Sequence, residues 1–300
     1  MIDGLLVVDK PAGWTSHDVV AKLRGATRQR RIGHAGTLDP DATGVLLVGL
    51  GRVTRLMRFL QETTKSYRGV VAFGVATDTL DAAGVELERR EMSITEAQLE
   101  GVFGRFRGEI QQIPPMVSAL KVDGKRLHEI AREGKEVERK PRSVRIDRLD
   151  LEGFEPGPFP RATVLVECSS GTYIRSLAAD LGQALGGCAH LAILRRLRVG
   201  AFTLEDSQPL DTLIEDPAPY VLTPVAALRG MEQITVGEEV ERAIGTGTVF
   251  SGPAFPVAGS GPYAMVSGEG ALLAVYEQHG DRYKPTVVIP VADSPARAGE

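Results

Sequence analysis

The chain has little of what marks secreted, membrane or metal-binding proteins. Its two cysteines, Cys168 and Cys188, are far apart and lack the spacing of a metal site, so neither a disulfide framework nor a zinc site is expected. No apolar run approaches the roughly 20 residues that cross a bilayer. Residues 1–4 lack the basic flank and the apolar stretch of a secretion signal. We therefore expect a cytoplasmic protein with no membrane contact and no bound metal.

The composition is that of a globular protein, with 43% hydrophobic and 25% charged residues in a chain of 300. That length exceeds the usual size of one domain, so we expect one large core and a smaller appendage.

The net charge of -4 conceals an uneven distribution of charge along the chain. Residues 1–60 carry 9 Lys/Arg against 5 Asp/Glu, residues 121–148 carry 10 against 6, and residues 204–300 carry 5 against 14. The first half is therefore free to present basic surfaces to phosphate.

The most informative stretch is residues 33–44, with the sequence GHAGTLDPDATG. Its three glycines allow backbone conformations closed to other residues, and Pro40 fixes the chain just after Asp39. The stretch predicts a tight loop that holds the Asp39 carboxylate against the end of a buried strand at residues 45–50. An ordinary connection, in which Asp39 only caps a turn, is the alternative.

A basic cluster leads into this loop. Residues 5–8 predict a buried strand, residues 9–13 a turn, and Ser16 can cap the helix that follows. That helix runs into Arg24, Arg28, Arg30 and Arg31, which it delivers to the mouth of the Asp39 loop. A solvated surface is the alternative reading for such a charge run. The position beside the carboxylate favours phosphate binding.

The remaining pattern alternates strands and helices and so predicts an α+β protein. We expect a helix at residues 53–60, a strand at 67–75, a helix opened by the capping box Thr95 to Gln98, strands at 144–151 and 162–168, and a helix after residue 175. Residues 111–148 contain too few apolar residues for a core, and we predict a basic arm there. From about residue 232, short strands separated by Gly and Pro predict a small β domain.

Three separated pieces can converge on one site: the Asp39 loop, the segment Lys65-Ser66-Tyr67, and the turn at residues 171–175, with the sequence GTYIR. Together with residues 190–196 and 9–16, they closely resemble the TruB-type tRNA pseudouridine synthases. The motifs match that family in identity, order and approximate spacing over residues 4 to about 200. Those enzymes isomerise the uridine at position 55 in the T-loop of tRNA.

The resemblance implies a role for each matching residue. Asp39 is the implied nucleophile, Arg175 its ion-pair partner, and Tyr67 the residue that lies against the target base and assists proton removal at C5. Tyr173 and Leu194 match residues that line the uracil pocket, and His34 matches the histidine that fills the space of the flipped nucleotide. We also expect Lys10, Arg28, Arg30 and Arg31 to bind RNA. An arginine beside Asp39 is expected to reverse the tendency of a buried carboxyl to keep its proton.

The resemblance also implies a fold and partners. It predicts a mixed, largely antiparallel central sheet flanked by helices in residues 1–231, with the basic arm inserted at 111–148. Residues 232–300 are expected to form a PUA-like β domain with a loose C-terminal tail. The reaction adds no atom and oxidises nothing, so no metal and no organic cofactor is implied. The expected partner is the T-arm of tRNA, bound by a monomer, with no protein partner evident.

Two other functions are compatible with parts of the sequence. Residues 39–43 satisfy the Asp-x-Asp-x-Thr pattern of haloacid-dehalogenase-like phosphatases, although such a pattern should follow a hydrophobic strand. An RNA-binding or tRNA-folding protein with incidental catalysis is the second alternative. The first predicts phosphatase activity that depends on magnesium, with no isomerisation of a tRNA transcript. The second predicts that Asp39→Asn abolishes pseudouridine but leaves tRNA affinity and any folding assistance nearly unchanged.

Overall fold

The structure is a computed structural model that describes residues 2–117, 121–122, 125–126, 137–257 and 259–289. Its strands are β1 Gly4–Lys10, β2 Ile32–Ala35, β3 Thr43–Leu50, β4 Lys65–Phe73, β5 Val75–Thr77, β6 Glu86–Arg89, β7 Gly108–Gln112, β8 Lys121–Val122, β9 Lys125–Arg126, β10 Arg142–Glu155, β11 Arg161–Cys168, β12 Ala189–Val199, β13 Phe202–Thr203, β14 Gln208–Pro209, β15 Glu232–Thr235, β16 Phe250–Ser251, β17 Tyr263–Val266, β18 Leu272–His279 and β19 Arg282–Val288.

The helices are α1 Ser16–Thr27, α2 Met57–Gln61, α3 Glu96–Phe103, α4 Ile174–Ala184, α5 Leu210–Glu215, α6 Pro224–Ala227 and α7 Glu238–Gly245. Short 3-10 turns lie at Gly51–Leu56, Leu204–Asp206, Ala218–Tyr220 and Gly252–Ala254. Among the described helices, none combines the length and the apolar character that crossing a bilayer requires.

Ten of the described strands form the main sheet, in the order β14-β1-β3-β12-β4-β11-β10-β7, with β2 on β3 and β13 on β12. Two pairs are parallel, β1 with β14 and β3 with β12, and the other pairs are antiparallel. The predicted mixed, largely antiparallel sheet is therefore confirmed. Its centre is the step from β3 to β12 to β4, which joins strands far apart in the sequence.

Helices cover the sheet through apolar side chains. Leu177 and Leu181 of α4 pack with Leu99 and Phe103 of α3 against β4, β10, β11 and β12. Each of these side chains is almost fully buried, which stabilises the fold by about 2 kcal/mol per side chain. Helices α1 and α5 pack against β1 and β3 in a second cluster. The sheet thus has the flanking helices that the sequence predicted.

A second sheet, in the order β15-β17-β18-β19-β16, begins at Glu232, and α7 packs on it. Ala264, Val275 and Val287 of this sheet share a buried cluster with Phe59 of α2 and Val199 of β12. The predicted C-terminal β domain is confirmed, while its PUA-like character and the division at residues 231/232 stay predictions. From residue 290 onward, the predicted tail lies outside the described residues.

Several local predictions were wrong for identifiable reasons. Asp9 and Lys10 continue β1 because they pair with β3, so the turn begins at Pro11. The helix predicted at 53–60 begins as a 3-10 turn, in which Thr54 Oγ1 donates to the Gly51 carbonyl at 2.7 Å, and only its end is α2. The strand predicted at 67–75 breaks at Gly74, whose φ is +85°.

The cap of α1 is Thr15, which forms a capping box with Asp18, and not Ser16. The Thr95 to Gln98 capping box is confirmed. The basic arm predicted at 111–148 starts inside β7 and ends inside β10, so any insertion is confined to residues 113–141. Within it, residues 118–120, 123–124 and 127–136 lie outside the described residues.

Candidate active site

The Asp39 loop is narrower than the sequence predicted. Residues 32–35 form β2, which pairs antiparallel with β3, so the loop spans only residues 36–42. Gly36 and Gly44 have φ values of +85° and +104°, which L-residues rarely adopt, whereas Gly33 needs no such freedom. A Cβ on Gly44 would also lie 2.1 Å from the Arg196 carbonyl oxygen. Glycine is therefore required at the first residue of the loop, Gly36, and at Gly44 just beyond the loop in β3.

Two buried polar side chains anchor this loop from below. Ser16 Oγ accepts a hydrogen bond from the Leu38 amide at 2.9 Å. Lys10 is fully buried. Its Nζ donates to the carbonyls of Pro11, Trp14 and Pro40 at 2.9, 2.7 and 2.8 Å. The prediction that Lys10 binds RNA is therefore corrected. All three ammonium protons are used within the fold, and the residue holds Pro40 and the loop in place.

Arg175 holds the Asp39 carboxylate in a two-point contact. Its Nε lies 3.0 Å from Asp39 Oδ2, and one terminal nitrogen donates to Asp39 Oδ1 at 3.2 Å. The other terminal nitrogen lies 3.2 Å from Asp81 Oδ2. Only 6% of the Arg175 side chain is exposed, against 39% of Asp39. Because a guanidinium fork matches carboxylate geometry, the contact fixes the direction in which Asp39 points as well as its charge balance.

The balance of charges at Asp39 differs from the prediction. Burial raises the pKa of the Asp39 carboxyl, Arg175 lowers it, and the nearby Asp81 carboxylate raises it again. The net direction is upward, so Arg175 offsets the effect of burial only in part. Asp39 thus loses its charge at a higher pH than an ordinary aspartate, and a reaction that needs the carboxylate should fail correspondingly early on acidification.

Arg175 is placed by the first turn of α4. Gln112, at the end of β7, accepts from the Tyr173 amide at 2.8 Å and donates to the Tyr173 carbonyl at 3.0 Å. Ser176 Oγ donates to the Ile113 carbonyl at 2.9 Å. These bonds fix the start of the helix against the sheet, so the arginine two residues after Tyr173 enters the site from a rigid element.

A cavity of about 610 Å³ opens above the carboxylate. Its lining includes Thr37, Leu38, Asp39, Lys65, Tyr67, Ser169, Thr172, Tyr173, Arg175, Leu194 and Arg196. The volume lies in the range of sites that bind small molecules, roughly 300–1,000 Å³. The three motif segments that were expected to converge therefore meet at one cavity, together with residues of β12.

Tyr67 and Leu194 form one wall of the cavity on neighbouring strands. In the ladder between β4 and β12, Leu194 is opposite Gly69 and Arg196 is opposite Tyr67. Burial raises the pKa of the Tyr67 phenol, while the charge of Arg196 and a hydrogen bond from it lower that pKa. The phenol is therefore protonated near neutral pH. Tyr173 lines the cavity at the cap of α4.

His34 lies in β2, beside the loop and not among the residues that line the cavity. Its ring meets that of His17 edge to face, with 5.2 Å between centroids. Burial, with smaller contributions from His17 and Arg196, lowers the pKa of His34 to about 4. The imidazole is therefore neutral at physiological pH, and its Nδ1 is buried without a hydrogen-bond partner among the described residues.

Arg28, Arg30 and Arg31 are exposed where α1 ends and the chain turns into β2. Arg28 takes the left-handed conformation that terminates the helix, with φ of 52°. Arg31 Nε donates to Thr54 Oγ1 at 2.9 Å. The cluster lies next in sequence to His34 and the loop, so it adds positive charge to the surface around them.

Sequence reasoning missed residues whose roles depend on distant contacts. They are Asp81, which shares Arg175 with Asp39; Gln112, which holds the start of α4; Lys65, whose buried ammonium donates to the Gln61 and Thr63 carbonyls; and Arg196, which lies under the loop. For Asp81 the sequence signal was only a polar loop. For Arg196 the alternation of β12 places it on the same face as Leu194, which could have indicated the cavity.

Comparison with known proteins adds independent information. The model of the TruB family pseudouridylate synthase N-terminal domain matches residues 24–174, and that of the tRNA pseudouridylate synthase B C-terminal domain matches residues 175–220. A tRNA pseudouridine synthase B of Thermobifida fusca is 44% identical over 298 residues, covering 96% of this chain and 99% of the relative. One of Symbiobacterium thermophilum is 49% identical over 236 residues, covering 78% and 79%.

Solved structures show the same fold. The crystal structure of a Cbf5-Nop10-Gar1 complex matches with a TM-score of 0.74 at 24% identity, covering 96% of this chain and 85% of that one. At this identity the likeness shows a shared fold.

Proposed function

The chain belongs to the TruB family of tRNA pseudouridine synthases, which are isomerases, and on that premise we propose that it converts the uridine at position 55 in the T-loop of tRNA to pseudouridine. One observation carries the proposal about the site. Asp39 is held by the Arg175 fork at the floor of a cavity of about 610 Å³ that Tyr67, Tyr173 and Leu194 also line.

The proposed chemistry needs one nucleophilic or charge-stabilising carboxylate. The C1'–N1 bond breaks with its electron pair going to N1, the base turns, C5 bonds to C1', and the C5 proton is removed while N1 gains one. Asp39 attacks or stabilises the electron-poor carbon of the broken bond. Arg175 favours the ionised form of the acid and fixes its direction, since it contacts both carboxylate oxygens. The product is an isomer of the substrate, so the overall reaction consumes no second reactant.

We assign the side chains that form the cavity walls to binding of the uracil base. Tyr67 lies against the uracil and takes part in removing the C5 proton late in the reaction. Tyr173 and Leu194 complete a narrow slot that favours a flat ring. A uridine inside a folded T-loop reaches this slot only by leaving its stack, which costs a few kcal/mol. His34, neutral because its pKa is about 4, fills the vacated space with an uncharged flat ring.

The RNA backbone is assigned to the exposed arginines. Arg28, Arg30 and Arg31 contact phosphates of the T-arm, so replacing all three with Gln should weaken binding and reduce the dependence of log K on log salt by about 2 to 3. The control replaces three exposed arginines elsewhere, Arg105, Arg242 and Arg282. An unchanged affinity and salt slope in the first variant would contradict the phosphate assignment.

We further propose that a monomer acts on tRNA in the cytoplasm. The decisive experiment incubates the protein with an unmodified tRNA transcript and maps pseudouridine by chemical labelling. Asp39→Asn should abolish the product while tRNA affinity stays within about threefold. Asp41→Asn makes the same change at an exposed residue of the same loop and should remain active.

A transcript with cytosine at position 55 is the matched RNA control. Product at another uridine would refute the assigned position while leaving the isomerase activity standing. Full activity of Asp39→Asn would refute the assigned nucleophile. Loss of RNA affinity together with product would show that Asp39 also contributes to RNA binding.

A further inference from the structure

Arg196 is an arginine in an unusual place. It lies on β12, the strand at the centre of the main sheet, opposite Gly44 of β3 on one side and Tyr67 of β4 on the other. It is 1% exposed and is among the largest fully buried side chains of the described residues. A buried guanidinium is costly, and burial lowers the pKa of Arg196. If the side chain served only to fill space, an apolar side chain of similar volume would do so without the free-energy cost of desolvating a charge.

The contacts of its guanidinium explain the charge. Nε donates to the Val45 carbonyl at 2.6 Å, and the two terminal nitrogens donate to the carbonyls of Gly36 and Thr37 at 3.2 and 3.4 Å. Tyr67 is the ladder partner of Arg196 on β4, and the positive charge of Arg196 lowers the pKa of the Tyr67 phenol. Within the described part of the chain, the donors of Arg196 therefore go to the Asp39 loop and to the strand that follows this loop, while its charge lies beside the phenol.

The two groups that Arg196 joins are those on which the proposed reaction depends. Gly36 and Thr37 lead directly into Asp39, and Tyr67 stands on the next strand. Without the guanidinium, no side chain of β12 would contact both the loop and the neighbourhood of the phenol. The carbonyls of Gly36 and Thr37 would also lose these donors. A Cβ on Gly36 would lie 3.7 Å from an Arg196 terminal nitrogen, which is an ordinary contact, so glycine is favoured there by its φ of +85° and not by crowding from the arginine.

We propose that Arg196 is a positioning residue, which fixes the separation between the Asp39 loop and the Tyr67 hydroxyl so that both groups reach the same nucleotide. This inference rests on the proposed function, because it concerns how the assigned nucleophile and the assigned tyrosine are held. Its positive charge also favours the ionised form of Asp39 and so links the residue to the pH dependence of the reaction.

The test measures isomerisation independently of its position in the RNA. Release of tritium from tRNA labelled at C5 of uridine is followed in single turnovers with saturating enzyme. Arg196→Gln removes the charge and most of the donors, and Arg196→Lys keeps the charge but not the fork. Arg198→Gln is the control on the same strand, because Arg198 contacts Glu167 and Thr64 and not the loop.

We expect Arg196→Gln to lose at least 100-fold in single-turnover rate, while its tRNA dissociation constant stays within about twofold. Arg196→Lys should recover at least tenfold of that loss, and Arg198→Gln should stay near the rate of the unaltered protein. The acid limb of the pH–rate profile should move to higher pH in Arg196→Gln, because a cation that favours ionised Asp39 is gone.

A rate of Arg196→Gln within threefold of Arg198→Gln, or an unmoved acid limb, would overturn the proposal. If neither Arg196 variant folds, judged by circular dichroism, the residue is structural only and the proposal fails. An unaltered protein that releases no tritium would instead refute the proposed function. Release from a uridine other than position 55 would refute only the assigned position, since the variants are compared on total release.

Discussion

The neutral imidazole of His34 predicts a specific loss of stability on acidification. An ordinary histidine has a pKa of 6.5, whereas burial lowers that of His34 to about 4. Between these values the unfolded chain binds a proton that the folded chain does not, so the free energy of unfolding falls as the pH falls through this window. The contribution is intact above pH 6.5 and is fully lost only below pH 4.

The magnitude follows from the width of the window. Each pH unit inside it changes stability by about 1.4 kcal/mol, so going from pH 7 to pH 5 should cost about 2 kcal/mol through this one residue. His34→Phe keeps a flat ring and removes the titrating group. We expect this variant to lose about 2 kcal/mol less than the unaltered protein over the same pH step.

Urea unfolding at pH 7 and pH 5 measures the difference, with the fluorescence of the single tryptophan, Trp14, as the probe. Trp14 packs on the cluster that joins α1 to β1 and β3, so it reports on the part of the fold that contains His34. His279→Phe is the control, because it removes an exposed imidazole. An equal acid-induced loss in His34→Phe and in the unaltered protein would refute the assignment of a neutral buried ring.

Two further predictions concern the loop. Lys10→Met leaves three carbonyls without their donor and should lower the free energy of unfolding by about 3 kcal/mol in urea titrations, while the tRNA affinity of the folded protein stays within twofold; a large loss of affinity would restore the RNA-binding role. Gly44→Ala should lower the free energy of unfolding by about 3 kcal/mol, because its φ is +104° and the new Cβ would lie 2.1 Å from the Arg196 carbonyl oxygen. Gly36→Ala should lower it by only about 1 kcal/mol, because the nearest atom to its Cβ would be 3.7 Å away. Equal losses in urea titrations of the two variants would contradict the steric argument.

Local signals and motif resemblance predicted much of this molecule. The Thr95 capping box, the helix that leads into the arginines and the short strands of the C-terminal domain depend on contacts within a few residues, which the sequence shows directly. The meeting of Asp39, Tyr67 and Arg175 was predicted from the resemblance, because its segments are 28 and 108 residues apart. No local pattern carries that information.

The remainder could not be predicted because it depends on which face of an element turns inward. Lys10 follows a buried apolar run, and only the ladder with β3 shows that it continues the strand and points its ammonium under the loop. Asp81 lies in a polar loop whose sequence does not indicate that its ion-pair partner is Arg175 of α4. The upward shift in the pKa of Asp39 likewise depends on the sum of burial and four nearby charges, whereas the sequence shows only which charged groups are present.

The shared apolar cluster between the two sheets determines how the chain could be divided. Phe59 and Val199 pack against Ala264 and Val275, and Arg58 reaches Glu277 at 2.9 Å across the same seam. Cutting the chain after residue 231 would expose these apolar side chains of the larger portion to water. The C-terminal portion thus completes the core of the larger portion, and we expect the two portions to be stable only together.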